Sequence, residues 1–160
     1  MLTNSQHGVY WILDPVMGID KENIMPFYSW NNIVKDTEAN ETLPPGMTRQ
    51  GVVMGSFMFG MHESGKKIDE AGLSEGGESE APQYHSHESE QITYVFEGRI
   101  MMTIGEEEQE LGPGDFAYVP ANVVHGGKAL TEYVHALDIW TPPRPDVVKR
   151  VEELNQQRSI

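Results

Sequence analysis

Between residues 91 and 119 the chain is cut by turn signals into runs too short for helices, and that rhythm leaves few folds open. Residues 91–96 and 99–104 are β-branched and aromatic runs on either side of Glu97-Gly98, a two-residue hairpin signal. Gly105-Glu106 marks a second turn and Leu111-Gly112-Pro113-Gly114-Asp115 a third. Phe116–Val119 then reads as a short buried strand stopped by Pro120. Residues 132–140 form another strand, with Val134, Ala136, Asp138 and Trp140 on one face and Tyr133, His135, Leu137 and Ile139 on the other. Such spacing describes an all-β antiparallel sandwich or barrel rather than alternating strands and helices.

Upstream, residues 49–61 alternate Gly and small residues with Val, Met and Phe, the pattern of a strand with close backbone approaches. From His62 to about Gln83 follows an acidic insertion rich in Gly, Ser, Glu and Lys, expected to be a solvated loop or a flexible cover. After Pro142, Pro143 and Pro145, Asp146 is placed to cap a last helix with Val147, Val148, Val151 and Leu154 on one stripe. The expected organisation is therefore an extension over 1–45, which packs on the barrel or on a partner subunit through Pro26-Phe27-Tyr28-Ser29-Trp30. A barrel over 46–141 follows, with its loop at about 63–83, and a C-terminal helix in 142–160.

The barrel pattern carries metal-binding side chains. His85 and His87 lie one residue apart on an extended segment, so both point the same way. Gln91, four residues on, can close on the same ion through its amide oxygen; Glu88 or Glu90 takes that place if the bend differs. His125 comes from the loop after Pro120, a separation that only sheet pairing makes short. Three imidazoles and an amide leave the charge of a divalent ion uncompensated, and suit Zn, Ni, Fe, Co or Mn. A metal-free barrel with packed histidines is the plainer alternative. His7 and His62 read as surface residues, and His135 faces away from Asp138. A carboxylate between Ala136 and Trp140 on an apolar face is costly without a partner, so Asp138 either meets a cation, for which Arg144 is placed, or serves a reaction.

The 160 residues, 38% hydrophobic, can bury one sizeable core. A formal charge of -14 argues against nucleic acid and anionic membrane partners. With no cysteine, thiolate ligands are excluded. Neither a secretion signal nor a membrane-spanning run is visible, so a cytoplasmic location is expected.

The two histidine segments resemble the paired motifs of the cupin superfamily. The matching positions are His85, His87, Gln91 and Gly98 in the first, and Gly114, Pro120 and His125 in the second. Gln91 stands where most cupins carry glutamate, Asn122 where they carry glycine, Ala129 where they carry asparagine, and Ser79 replaces the first glycine. The resemblance implies a double-stranded β-helix, or jelly-roll barrel, and a homodimer. Residues 90–95, 112–115, 120–126 and 137–146 are similar to KdgF-like cupins of pectin and alginate breakdown, which convert 4,5-unsaturated monouronates to a linear keto form. That likeness implies that Asp138, Trp140 and Arg144 line the cavity, with Asp138 moving a proton, Arg144 holding a carboxylate and Trp140 stacking on the substrate. The expected function is metal-dependent proton transfer, isomerisation or lyase chemistry on a small oxygen-rich substrate. The alternatives are a cupin dioxygenase and a non-catalytic small-molecule binder.

Overall fold

The computed structural model describes residues 27–40, 43–65 and 84–158. Among the described residues, a short 3-10 helix (Trp30–Asn32) is followed by nine strands and one α-helix in the order β1 (Lys35–Asp36), β2 (Met47–Met54), β3 (Phe57–Gly65), β4 (Glu90–Glu97), β5 (Ile100–Ile104), β6 (Glu107–Leu111), β7 (Phe116–Val119), β8 (His125–Ala129), β9 (Tyr133–Thr141) and α1 (Pro145–Arg158). All pairings are antiparallel. One sheet has the order β1-β2-β3-β9-β4-β7, the other β6-β5-β8. This is the jelly-roll arrangement. The hairpin at Gly105-Glu106 falls where the turn residues put it, with Gly105 at φ 60°, whereas Glu97-Gly98, with Gly98 at φ 79°, is a turn but not a hairpin: β4 pairs with β7 and β9 and β5 with β6 and β8, so this turn carries the chain from one sheet to the other.

Alternation along the strands builds the interior. Val95, Ile100, Met102, Leu111, Val119, Val134 and Ala136 form the core between the sheets. Register sets three inward rows across the larger sheet. Arg49, His62, Ala136 and Val95 form one; Gly51, Gly60, Asp138 and Thr93 the next; Val53, Met58, Trp140, Gln91 and Val119 the third. On one side of Asp138 its row continues through Gly60 and then Gly51, both glycine because large groups lie over them. A Cβ at Gly60 would sit 2.5 Å from the Trp140 ring, and one at Gly51 would sit 2.8 Å from Val151. Val147, with 0% exposure, docks α1 onto Met58 and Trp140.

Four further expectations change. Residues 49–61 are two strands, joined by a turn at Gly55-Ser56 in which Gly55 takes φ 63°. Strand β3 continues through Gly65, so the first residues assigned to the acidic insertion are sheet; residues 66–83 lie outside the described residues. Phe116–Val119 is an edge strand rather than a buried one, with Phe116 66% and Tyr118 51% exposed. Asp146 sits in the first turn of α1 rather than capping it, because Pro145 occupies the first helical position, where its missing N–H costs nothing.

Part of the lead-in belongs to the barrel. Strand β1 pairs with β2, Leu43 is fully buried, and Gln50 Nε2 donates to the carbonyls of Trp30 and Ile33 at 2.6 and 2.7 Å. Phe27 is exposed. The rest of the lead-in, residues 1–26, is outside the described residues.

Candidate metal centre

Backbone pairing brings the imidazoles together. His85 and His125 form an isolated antiparallel bridge in which each N–H donates to the other's carbonyl, at 3.0 and 2.9 Å. The loop before His125 is tied to the other strand by the Asn122 N–H, which donates to the His87 carbonyl at 2.8 Å. Asn122 has φ 63°, so asparagine, which tolerates the left-handed region, performs the turn that glycine makes elsewhere. The ring centroids of His85 and His125 are 4.4 Å apart, those of His87 and His125 4.8 Å, and those of His85 and His87 5.6 Å. One nitrogen from each lies within 4.8 Å of the other two, so the three can hold one ion.

Their hydrogen bonds fix which nitrogen is left to bind. His87 Nδ1 donates to the Ser89 carbonyl and His125 Nδ1 to the Val123 carbonyl, each at 2.8 Å, which leaves both Nε2 atoms as lone pairs in the neutral rings. His125 Nε2 is buried with no hydrogen-bond partner. Burial pushes the His125 ring down to about 4, partly offset by the Val123 bond, so it is neutral and ligand-ready near pH 7. His85 Nε2 lies 3.4 Å from Arg144 Nη1, a donor only, and therefore also presents a lone pair.

Gln91 is held with equal definition. Its Nε2 donates to Thr93 Oγ1 at 2.8 Å and Asp138 Oδ1 at 3.1 Å, while its Oε1 accepts from Trp140 Nε1 at 2.7 Å. That amide oxygen sits 3.0 Å from His87 Nε2. With Nδ1 donating to Ser89, the neutral ring turns its Nε2 lone pair to this oxygen, so a cation placed between them would be held by both, whereas a protonated ring donates to it. Glu88 is exposed and Glu90 accepts from the Tyr118 hydroxyl at 2.6 Å on the outer face, so neither competes with Gln91.

Behind the imidazoles the structure brings Asp138 to the interior, but not to Arg144. Its Oδ1 accepts from Thr93 Oγ1 at 2.5 Å and from Gln91; its Oδ2 lies 3.2 Å from His62 Nε2. Burial pushes the carboxyl up, but the contact with His62 and the Thr93 bond outweigh it and hold it below the usual carboxylate range. His62, expected at the surface, is 12% exposed and packs edge-on to Trp140 at 5.8 Å. Splitting 49–61 correctly would have exposed it, since Met58, Gly60 and His62 share one parity. Arg144 instead pairs with Asp146 and lies over the Trp140 ring at 5.8 Å. Trp140, expected to stack on substrate, is 2% exposed: its ring covers Gly60 and its N–H orients Gln91. His135 faces outward against Phe96, as its parity required.

A jelly-roll barrel in which three imidazoles converge can hold one metal ion. Residues 73–140 match the family described as Cupin_2, cupin domain. It is 35% identical over 71 residues to quercetin 2,3-dioxygenase of Bacillus subtilis, a match covering 43% of this chain and 21% of that protein. The chain spans well under two thirds of the length of the curated relatives it matches. Among solved structures, an RmlC-like cupin from Shewanella frigidimarina superposes with TM-score 0.60 at 20% identity, covering 76% of this chain and 95% of that one. KdgF from Halomonas gives TM-score 0.55 at 24% identity, with 70% and 90% covered. These two structures share the fold with this chain.

Proposed function

We propose that this protein is a metal-dependent enzyme that moves a proton on a small oxygen-rich substrate, such as an unsaturated uronate or related keto or enol acid, in an isomerisation or lyase-type reaction. His85, His87, His125 and Gln91 would hold one divalent transition metal ion. Bound there, such an ion polarises substrate oxygens as a Lewis acid. The observation that carries the reading is the carboxylate fixed beside the amide ligand: Asp138 shares Gln91 and Thr93 on one oxygen and presents the other toward His62. An ionised carboxylate so placed is a general base, and His62 keeps its free oxygen in position. Arg144, at the mouth between His85 and Asp146, is the residue to hold a substrate carboxylate by a two-pronged contact. Trp140 acts indirectly, by aiming Gln91.

Elemental analysis of the purified protein, with a screen of unsaturated uronates and enolisable keto acids with and without oxygen, tests the proposal. His125→Ala is expected to weaken metal affinity by at least about 100-fold, measured by competition with a chelating dye. An oxidative reading is supported by the match to quercetin 2,3-dioxygenase; oxygen consumption during turnover would select it. Ligand binding without product would select the non-catalytic alternative.

For assembly, we propose that two copies pair on the outer face of the larger sheet. Phe57, Ile92, Phe96, Phe116 and Tyr118 there are each at least 40% exposed, and exposed apolar side chains grouped on one face mark interaction surfaces. Light scattering should give twice the 18.0 kDa chain mass, and Phe116→Asp should shift the protein to monomer.

A further inference from the structure

The cavity that holds the imidazoles has a second guanidinium on its wall. It measures about 660 Å³ and runs between the two sheets, with His85, His125 and Arg144 around the candidate metal centre. Arg49 of β2 and Ser64 of β3 line it further along.

Register gives its place. Gln91 pairs with Trp140, and four residues back along β9 lies Ala136, whose inward row continues through His62 to Arg49. Four residues of strand span about 13 Å, so Arg49 stands well away from the amide ligand along the strands. It pairs with His62, and Ser64 follows on β3 at the same parity. The wall there is polar: a guanidinium, an imidazole and a hydroxyl.

Arg49 is only 3% exposed, a rare setting for a guanidinium. Asp36 lies 3.9 Å from its Nη2, a charge contact longer than a hydrogen bond, and both Asp36 oxygens already accept from Arg150. Burial pulls the Arg49 guanidinium below its ordinary value. Asp36 opposes that pull, Arg144 adds to it, and the balance stays downward. The group remains charged, but its charge is compensated less well here than in water. An anion bound beside it in the cavity would make up the difference, and the planar fork matches a carboxylate.

The charges along the wall point the same way. With neutral imidazoles, Arg49 and Arg144 balance Asp138 and Asp146 among the described lining residues, so a divalent ion leaves two positive charges for a ligand to meet. A monoacid supplies one negative charge and a diacid both. We infer that Arg49 anchors a second acidic group of the substrate, which is therefore a dicarboxylic keto, enol or hydroxy acid: its oxygen-bearing head lies at the imidazoles and Arg144, its far carboxylate at Arg49. The head rests on the function proposed above; the anchor rests on Arg49 and the cavity. This narrows the substrate class to diacids, and away from monouronates.

Two measurements on the full chain test the anchor. Without metal, glutarate is titrated at constant ionic strength into protein carrying isotope-labelled arginine, with the Arg49 Nε–H signal assigned by Arg49→Lys. A saturable shift of that signal is the expected result; an unmoved signal overturns the inference. With divalent metal bound, calorimetry compares α-ketoglutarate with α-ketovalerate, and α-ketoadipate with α-ketocaproate, pairs that share a head and a chain length and differ in the far carboxylate. In the pair whose length fits, the diacid should bind about tenfold or more tighter. The gain should vanish in Arg49→Gln while the monoacid affinity stays, which loss of a merely structural arginine would not produce. Should Arg49→Gln fail to fold, Ser64→Asp sets an internal carboxylate beside Arg49 and should abolish the gain in the same way. Equal affinities in both pairs, or a gain that survives either substitution, overturn the inference. A chain whose Arg49 signal follows glutarate but which takes up no metal refutes the proposed function and leaves the anchor standing.

Discussion

Asp138→Asn is expected to lower turnover by about 10²–10⁴-fold while the metal content of the purified protein stays that of the wild type. Asparagine matches aspartate in shape, and its amide oxygen can still accept from Thr93 Oγ1 and Gln91 Nε2, so the amide ligand should keep its orientation. What it cannot do is take up a proton. The other outcome is informative in a definite way: full activity in the variant would reduce Asp138 to an anchor for Gln91. Elemental analysis beside initial rates on whichever keto acid or uronate the screen finds separates the two, because metal loss and proton-transfer loss are read independently.

The second large effect concerns stability. Asp36→Ala is expected to cost about 3–5 kcal/mol, measured as a fall in the urea midpoint at neutral pH. Asp36 is 2% exposed and accepts from Arg150 Nε at 2.9 Å and Nη2 at 2.8 Å, with Arg49, itself 3% exposed, at 3.9 Å and Asn40 Nδ2 at 3.1 Å. Removing the carboxylate takes the nearest acidic partner from the buried Arg49 and leaves the Arg150 guanidinium with only the more exposed Glu38 and Glu153. The contact also joins β1 to α1, so one substitution loosens both the sheet edge and the helix that covers Gly51. Burial pushes the Asp36 carboxyl up, but the bonds and charge of Arg150 outweigh it, and the folded value lies below the ordinary one. A lowered carboxylate stabilises above its unfolded value, about 3.9, and that contribution is lost as pH falls through the folded value. The gap between wild type and variant should accordingly be full at pH 6 and shrink below about pH 4.

Much of the centre was legible because its signals are local. His85 and His87 share a face by strand parity, and Gly98 and Gly105 mark turns that need left-handed backbone, though only the second joins two paired strands. The faces of β9 followed from alternation alone, which put Asp138 indoors and His135 outdoors. The missed residues fail for one shared reason. His62 reads as a surface residue because Gly55-Ser56 does not stand out as a turn among the other small residues of 49–61, and without that break the parity of β3 cannot be counted. Phe116–Val119 looked buried because apolar composition is the same for a central strand and for an edge strand whose outer face is left open.

Ion pairing was the least legible level. Asp138 and Arg144 are six residues apart and were matched by charge, yet the chain turns at Pro142, through a cis Thr141–Pro142 peptide, and delivers Arg144 to Asp146 instead. The partners that Asp138 does meet, Thr93 and His62, come from strands 45 and 76 residues away in sequence. By itself the sequence determined what depends on neighbours along the chain: the strand rhythm, most of the turns, the inward faces of β9 and the shared face of His85 and His87. Tertiary structure alone decided which groups share a proton or a charge, why Trp140 lies over Gly60, and how far the cavity runs between the sheets. Those depend on register between distant strands, and register is set when the two sheets bury their common core.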